Sequence, residues 1–66
     1  MIIYDRLWKT MKKKDISQYT LYTTYGISKA QIQRLKKNES VTTNTLNTLC
    51  NILDCNIEEI CEFIKD

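Results

Sequence analysis

The sequence predicts an all-α domain of five short helices. Three observations predict it. The 66 residues hold no proline and a single glycine. Apolar residues recur at the i, i+3, i+4, i+7 spacing of a helix face. Ser, Thr or Asn stands before four of the five stripes, where helices take their N-caps. A chain of this length makes one domain, residues 1–66. Such a domain buries a modest part of its surface and has no room for a deep cleft with a supporting shell.

Helix 1 is expected from Ile3 or Asp5 to Lys14, with Tyr4, Leu7, Trp8 and Met11 as its apolar stripe. Lys12, Lys13 and Lys14 suit the negative end of its dipole. Asp15 and Ile16 form the link. Ser17 caps helix 2, Gln18 to Tyr25, and Gly26 ends it, because the residue just past a helix often needs positive φ. Ile27 points inward. Ser28 caps helix 3, Lys29 to about Lys37, and Gln31 three residues on completes a capping box. Asn38 follows, at a position where Asn tolerates a left-handed conformation.

Thr42 or Thr43 caps helix 4, which carries Leu46, Leu49, Cys50 and Leu53 and ends near Leu53. Asn56, with Glu59 at the third helical position, begins a fifth helix whose stripe is Ile57, Ile60, Cys61 and Ile64. Ile2, Ile3, Ile52 and Phe63 lie off the core stripes.

Charge is unevenly distributed. The net charge of +2 divides into a basic half and an acidic one. Residues 1–40 carry nine Lys/Arg against Asp5, Asp15 and Glu39, whereas residues 41–66 carry Lys65 against Asp54, Glu58, Glu59, Glu62 and Asp66. Such an asymmetry suits a domain that turns one face to a polyanion. On a helical wheel, Ile32 and Leu35 of helix 3 face the core, while Ala30, Gln33, Arg34 and Lys37 face outward with Lys29 at the N-terminal edge. These side chains match the major-groove code: Arg34 or Lys29 donates to guanine O6 and N7, Gln33 pairs with adenine, and Ala30 permits close approach or touches a thymine methyl.

The run SQYTLYTTYGISKAQIQRL, Ser17 to Leu35, therefore reads as two short helices around a tight corner. With the segment TLNTLCNILDCNIEEI it resembles the lambda-repressor-like, Cro/C1-type (XRE) helix-turn-helix family. The first, fourth, fifth, ninth, fifteenth and eighteenth places of that motif hold Gln18, Leu21, Tyr22, Gly26, Ile32 and Leu35. The resemblance implies a five-helix lambda-repressor-like DNA-binding domain acting as a transcriptional regulator, a repressor that occupies a double-stranded DNA operator as a homodimer. It implies base-facing roles for Ser28, Lys29, Ala30, Gln33 and Arg34. Phosphate contacts would fall to Gln18, Lys36, Lys37, Thr42, Thr43 and Asn44. Phe63 with the C-terminal helix, and Ile52 of helix 4, are candidates for a dimer contact. An antitoxin-like or protein-interaction module on the same fold is the alternative.

Three places depart from the family pattern. Tyr22 stands where a small residue is usual, so the two helices separate slightly or the ring leaves along their edge. Met11 and Lys36 stand where many members place an Arg–Glu pair. Asp54 stands where glycine usually follows helix 4.

Other functions find little support. There is no His, no Gly-rich phosphate loop and no C-x-x-C pair, so neither catalysis, a metal, a cofactor nor a small-molecule ligand is expected. Cys50 and Cys61 fall on core stripes, and Cys55 is the one cysteine open to redox sensing. An odd count of three fits a reducing compartment. No apolar run approaches the ~20 residues that span a bilayer, and the start MIIYDRLWK is not signal-like, so a cytoplasmic location is expected.

Overall fold

A computed structural model describes all 66 residues. Four α-helices follow one another: α1 (Asp5–Lys13), α2 (Gln18–Thr23), α3 (Lys29–Lys36) and α4 (Thr43–Leu53). Two short strands, β1 (Ile2–Ile3) and β2 (Glu62–Phe63), pair antiparallel and tie the two ends of the chain together. No helix is long and apolar enough to cross a membrane.

The expected fifth helix is replaced by a single 3₁₀ turn, Ile57–Glu59, after which the chain extends into β2. Asn56 and Glu59 do start a turn. Glu59 reaches back to accept a hydrogen bond from the Asn56 N–H at 2.8 Å. A helix of under ten residues is nevertheless marginal unless packing supports it. The β-branched pair Ile2–Ile3 offers a strand partner to Glu62 and Phe63. Ile60 enters the core, while Ile57 and Ile64 stay exposed. Arg6 of α1 secures the turn from outside, donating to the Glu58 carbonyl at 2.9 Å and to the Glu62 carboxylate at 3.0 Å. Thr10 donates to the Glu59 carbonyl at 2.7 Å.

One core gathers a few side chains from every helix: Tyr4, Leu7 and Met11 at α1, Leu21 in α2, Ile27 after the corner, Ile32 and Leu35 in α3, Leu49 and Leu53 in α4, and Ile60. Trp8, Leu46, Cys50 and Cys61, expected on the buried stripes, are half-buried at its margin. Ile52, expected on a free surface, also packs against this core. Met11 is buried with no charged partner to satisfy, and Lys36 stays in solvent.

Left-handed residues end the helices. Gly26 has φ 73°, Asn38 56°, Asp54 49° and Asp15 58°. Asn38 is useful beyond its backbone, since its Oδ1 accepts from the Tyr4 N–H at 2.9 Å. Tyr4 in turn donates its hydroxyl to the Glu39 carbonyl at 3.1 Å, so the link after α3 is pinned to the start of α1. Burial, then the neighbouring Cys61, pushes the Tyr4 hydroxyl above its ordinary pKa and keeps it a donor.

Asp54, by contrast, is exposed and its carboxylate makes no hydrogen bond or ion pair, so its left-handed strain has no side-chain return. A left-handed L-residue costs roughly 1–2 kcal/mol, and glycine's added freedom in the unfolded chain returns about half of that. Asp54→Gly is therefore expected to stabilise the domain by about 0.5–1 kcal/mol. Thermal unfolding followed by circular dichroism should show a rise of roughly 2–8 °C.

Candidate nucleic-acid interface

The corner between α2 and α3 is built from local hydrogen bonds. The Ser17 hydroxyl accepts from the Thr20 N–H at 3.1 Å and starts α2. Beyond Thr23 one more helical residue, Thr24, precedes the corner, so α2 stops short of the expected Tyr25. At Gly26 a Cβ would meet nothing within 4 Å. Positive φ, not space, is what requires glycine there. The Ile27 N–H then returns to the Leu21 carbonyl at 3.0 Å, and the Ile27 side chain drops into the core.

Ser28 caps α3, accepting from the Gln31 N–H at 3.2 Å. The other arm of the expected capping box is absent. The Gln31 side chain turns instead to α4, where its Oε1 accepts from the Thr45 hydroxyl at 2.7 Å. Thr45 is buried, and this bond couples the start of α4 to α3.

Thr42 caps α4. Its hydroxyl oxygen accepts from the Thr45 N–H at 3.2 Å and lies 3.1 Å from the Thr45 hydroxyl. Thr45 has one hydroxyl proton, which goes to Gln31, so the Thr42 hydroxyl is the donor between the two threonines. Thr42 thus serves as the cap of α4. The backbone N–H groups of Thr43 and Asn44, in the first turn of α4, have no acceptor.

The outward side of α3 is otherwise open. Ser28, Lys29, Ala30, Gln33, Arg34, Lys36 and Lys37 are exposed, as are Thr43 and Asn44 beside them. The only ion pairs in the molecule are Arg6–Glu62 and the Met1 ammonium with Asp66. None of the lysines, nor Gln33 or Arg34, makes a side-chain hydrogen bond. Arg6, counted with the basic half, is committed to the acidic end.

Two shallow grooves flank α3. One gathers Gln18, Tyr19, Tyr22, Lys29, Gln33 and Lys36 between α2 and α3. The other joins Ser28, Gln31, Asn44 and Thr45 across the corner to α4. Arg34, Lys37 and Thr43 border neither groove. At about 190 Å³, the first is smaller than the usual small-molecule site and suits surface contact. Tyr22 has left along the helix edge, 42% exposed, and the Lys29 ammonium sits 4.8 Å from its ring centroid. Gln31 and the Tyr22–Lys29 pair are the parts that sequence periodicity missed. The Tyr at a place for small residues was the visible signal for the second.

Residues 6–66 match the Cro/C1-type HTH DNA-binding domain family. The chain belongs to this family. The Cro/C1-type domain here is also similar to a solved structure, the crystal structure of transcriptional regulator VanUg, Form II. The two share 31% identity at a TM-score of 0.89, over 98% of this chain and 87% of that one. No curated protein matches the sequence.

The cysteines of this Cro/C1-type domain lie apart from α3, near the end of α4. Cys50, Cys55 and Cys61 are free and half-buried, and the Cys55 N–H donates to the Cys50 carbonyl at 3.1 Å. Burial, then Cys50, pushes the thiols of both Cys55 and Cys61 up. Reactive thiols are shifted the other way.

Proposed function

We propose that the domain is a transcriptional regulator that binds double-stranded DNA sequence-specifically and represses by occupying an operator. One observation carries the reading: the solvent face of α3 bears a row of polar side chains, Lys29, Gln33, Arg34 and Lys36, that make no hydrogen bond or ion pair within the protein. Arg34 reads guanine and Gln33 reads adenine, with Ser28, Lys29 and Ala30 at the N-terminal entry of the same face. Gln18, Lys36, Lys37, Thr43 and Asn44 hold phosphates, the last two with open N–H groups at the positive end of α4. Thr42 contributes by capping that helix. Membership of a DNA-binding family supports the reading, as does the likeness to a protein described as a transcriptional regulator.

The active species is a two-fold dimer on half-sites about one helical turn, ~34 Å, apart. With no C-terminal helix and Ile52 packed inward, the contact falls to the β1–β2 ribbon. There Phe63, 66% exposed, faces Ile2 across the strand pair.

Selection of bound fragments from random duplex DNA, followed by titration of the winner against salt, tests both parts. The expected result is a palindromic consensus and a log K versus log salt slope of about −0.9 for each phosphate contact. A slope near zero, or no enrichment, would sink the regulator reading in favour of a protein-binding module. A single non-palindromic half-site would remove the dimer.

A further inference from the structure

We propose that Tyr22 is a positioning residue that holds the Lys29 ammonium toward the DNA backbone, which makes Lys29 a phosphate contact and not a reader of bases. The inference rests on the reading of α3 as the DNA-facing helix. It starts from the cation–π geometry, with Lys29 Nζ 4.8 Å from the Tyr22 ring centroid. That contact draws Lys29 sideways from α3 toward α2. It borders the groove between α2 and α3, which Gln18, Gln33 and Lys36 also line.

An ammonium lying on a ring has its opposite hemisphere free, so it can keep the ring and meet a phosphate oxygen together. To reach guanine O6 or N7 in the major groove it has to leave the ring. A free surface lysine also loses considerable rotamer freedom when it binds, and a lysine already resting on a ring loses less. Tyr22, which replaces the small residue usual at this place, thus fixes one positive charge beside the helix corner. Discrimination is left to Gln33 and Arg34.

The test is a double-mutant cycle on the whole domain, with the preferred duplex and a scrambled one, each over a salt series. Lys29→Ala should weaken both duplexes by the same factor and make the log K versus log salt slope shallower by about 0.9. Tyr22→Phe keeps the ring and should bind as the unsubstituted protein does. Tyr22→Leu should lose about 2- to 5-fold on both duplexes, and no further loss should appear once Lys29 is already alanine. Ring-current shifts give an independent measure, because the Lys29 ε protons should resonate upfield with Tyr or Phe at position 22 and not with Leu.

A Lys29→Ala variant that alters base preference overturns the proposal, as do losses for Tyr22→Leu and Lys29→Ala that multiply. Should Tyr22→Leu fail to fold, Lys29 ε protons unshifted in the unsubstituted protein overturn it. If the unsubstituted domain binds neither duplex at low salt, the DNA reading itself falls and this inference with it. Binding with an additive cycle removes only the inference.

Discussion

Arg34→Ala is expected to lower affinity for the preferred duplex by about 5- to 150-fold, the equivalent of ~1–3 kcal/mol, and to relax preference at one base position. The size follows from geometry. A guanidinium presents two parallel N–H groups that match guanine O6 and N7, and no other base offers that pair of acceptors in the major groove. The substitution is clean because Arg34 is exposed and its side chain bonds nothing within the protein. Alanine is also the best helix former, so α3 should not weaken. Thermal unfolding of the variant should coincide with that of the unsubstituted domain. Lys37→Ala is the control: as a phosphate contact it should weaken all sequences alike and leave their ranking unchanged. Competition titration against single-base variants of the site reads both effects. If Arg34→Ala leaves the ranking intact, the assignment of the reading face is wrong.

Leu35→Ala is expected to act through the fold. Leu35 is fully buried in α3 next to Arg34 in sequence, with Ile32 as its neighbour in the core. Truncating a buried leucine removes its transfer free energy and leaves a cavity, together about 2–5 kcal/mol. A domain of this size has roughly 3–10 kcal/mol in all. The melting temperature should fall by more than about 10 °C. At room temperature the loss of DNA binding should follow the unfolded fraction on every sequence, with no change in ranking. Urea unfolding and binding measured on one sample separate the two substitutions. Arg34→Ala changes recognition at constant stability, and Leu35→Ala the reverse.

The sequence carried most of what positions α3. Ser17, Gly26, Ser28, Asp54 and the backbone of Asn38 act through their own conformation or their immediate neighbours, and such signals can be read locally. Ile32 and Leu35 obey helical spacing because α3 presents one side to a single core. Three features could not be read this way. The β1–β2 pairing joins residues some sixty positions apart, and the stripe Ile57, Ile60, Cys61, Ile64 mimics a helix although only Ile60 enters the core. Gln31 had two acceptable uses, a capping box or a bond to another helix, and only the approach of Thr45 decides between them. Tyr22 signalled a departure, but its encounter with Lys29 depends on how α2 and α3 cross.

The ribbon also sets an order of events when the chain folds. Contacts around the Gly26 corner close loops of a few residues, whereas Ile2 meeting Phe63 closes one that spans nearly the whole molecule. Closing so long a loop costs least once the intervening helices have already shortened the path. The strands therefore zip last, and the α2–α3 unit takes shape before the two ends of the polypeptide meet.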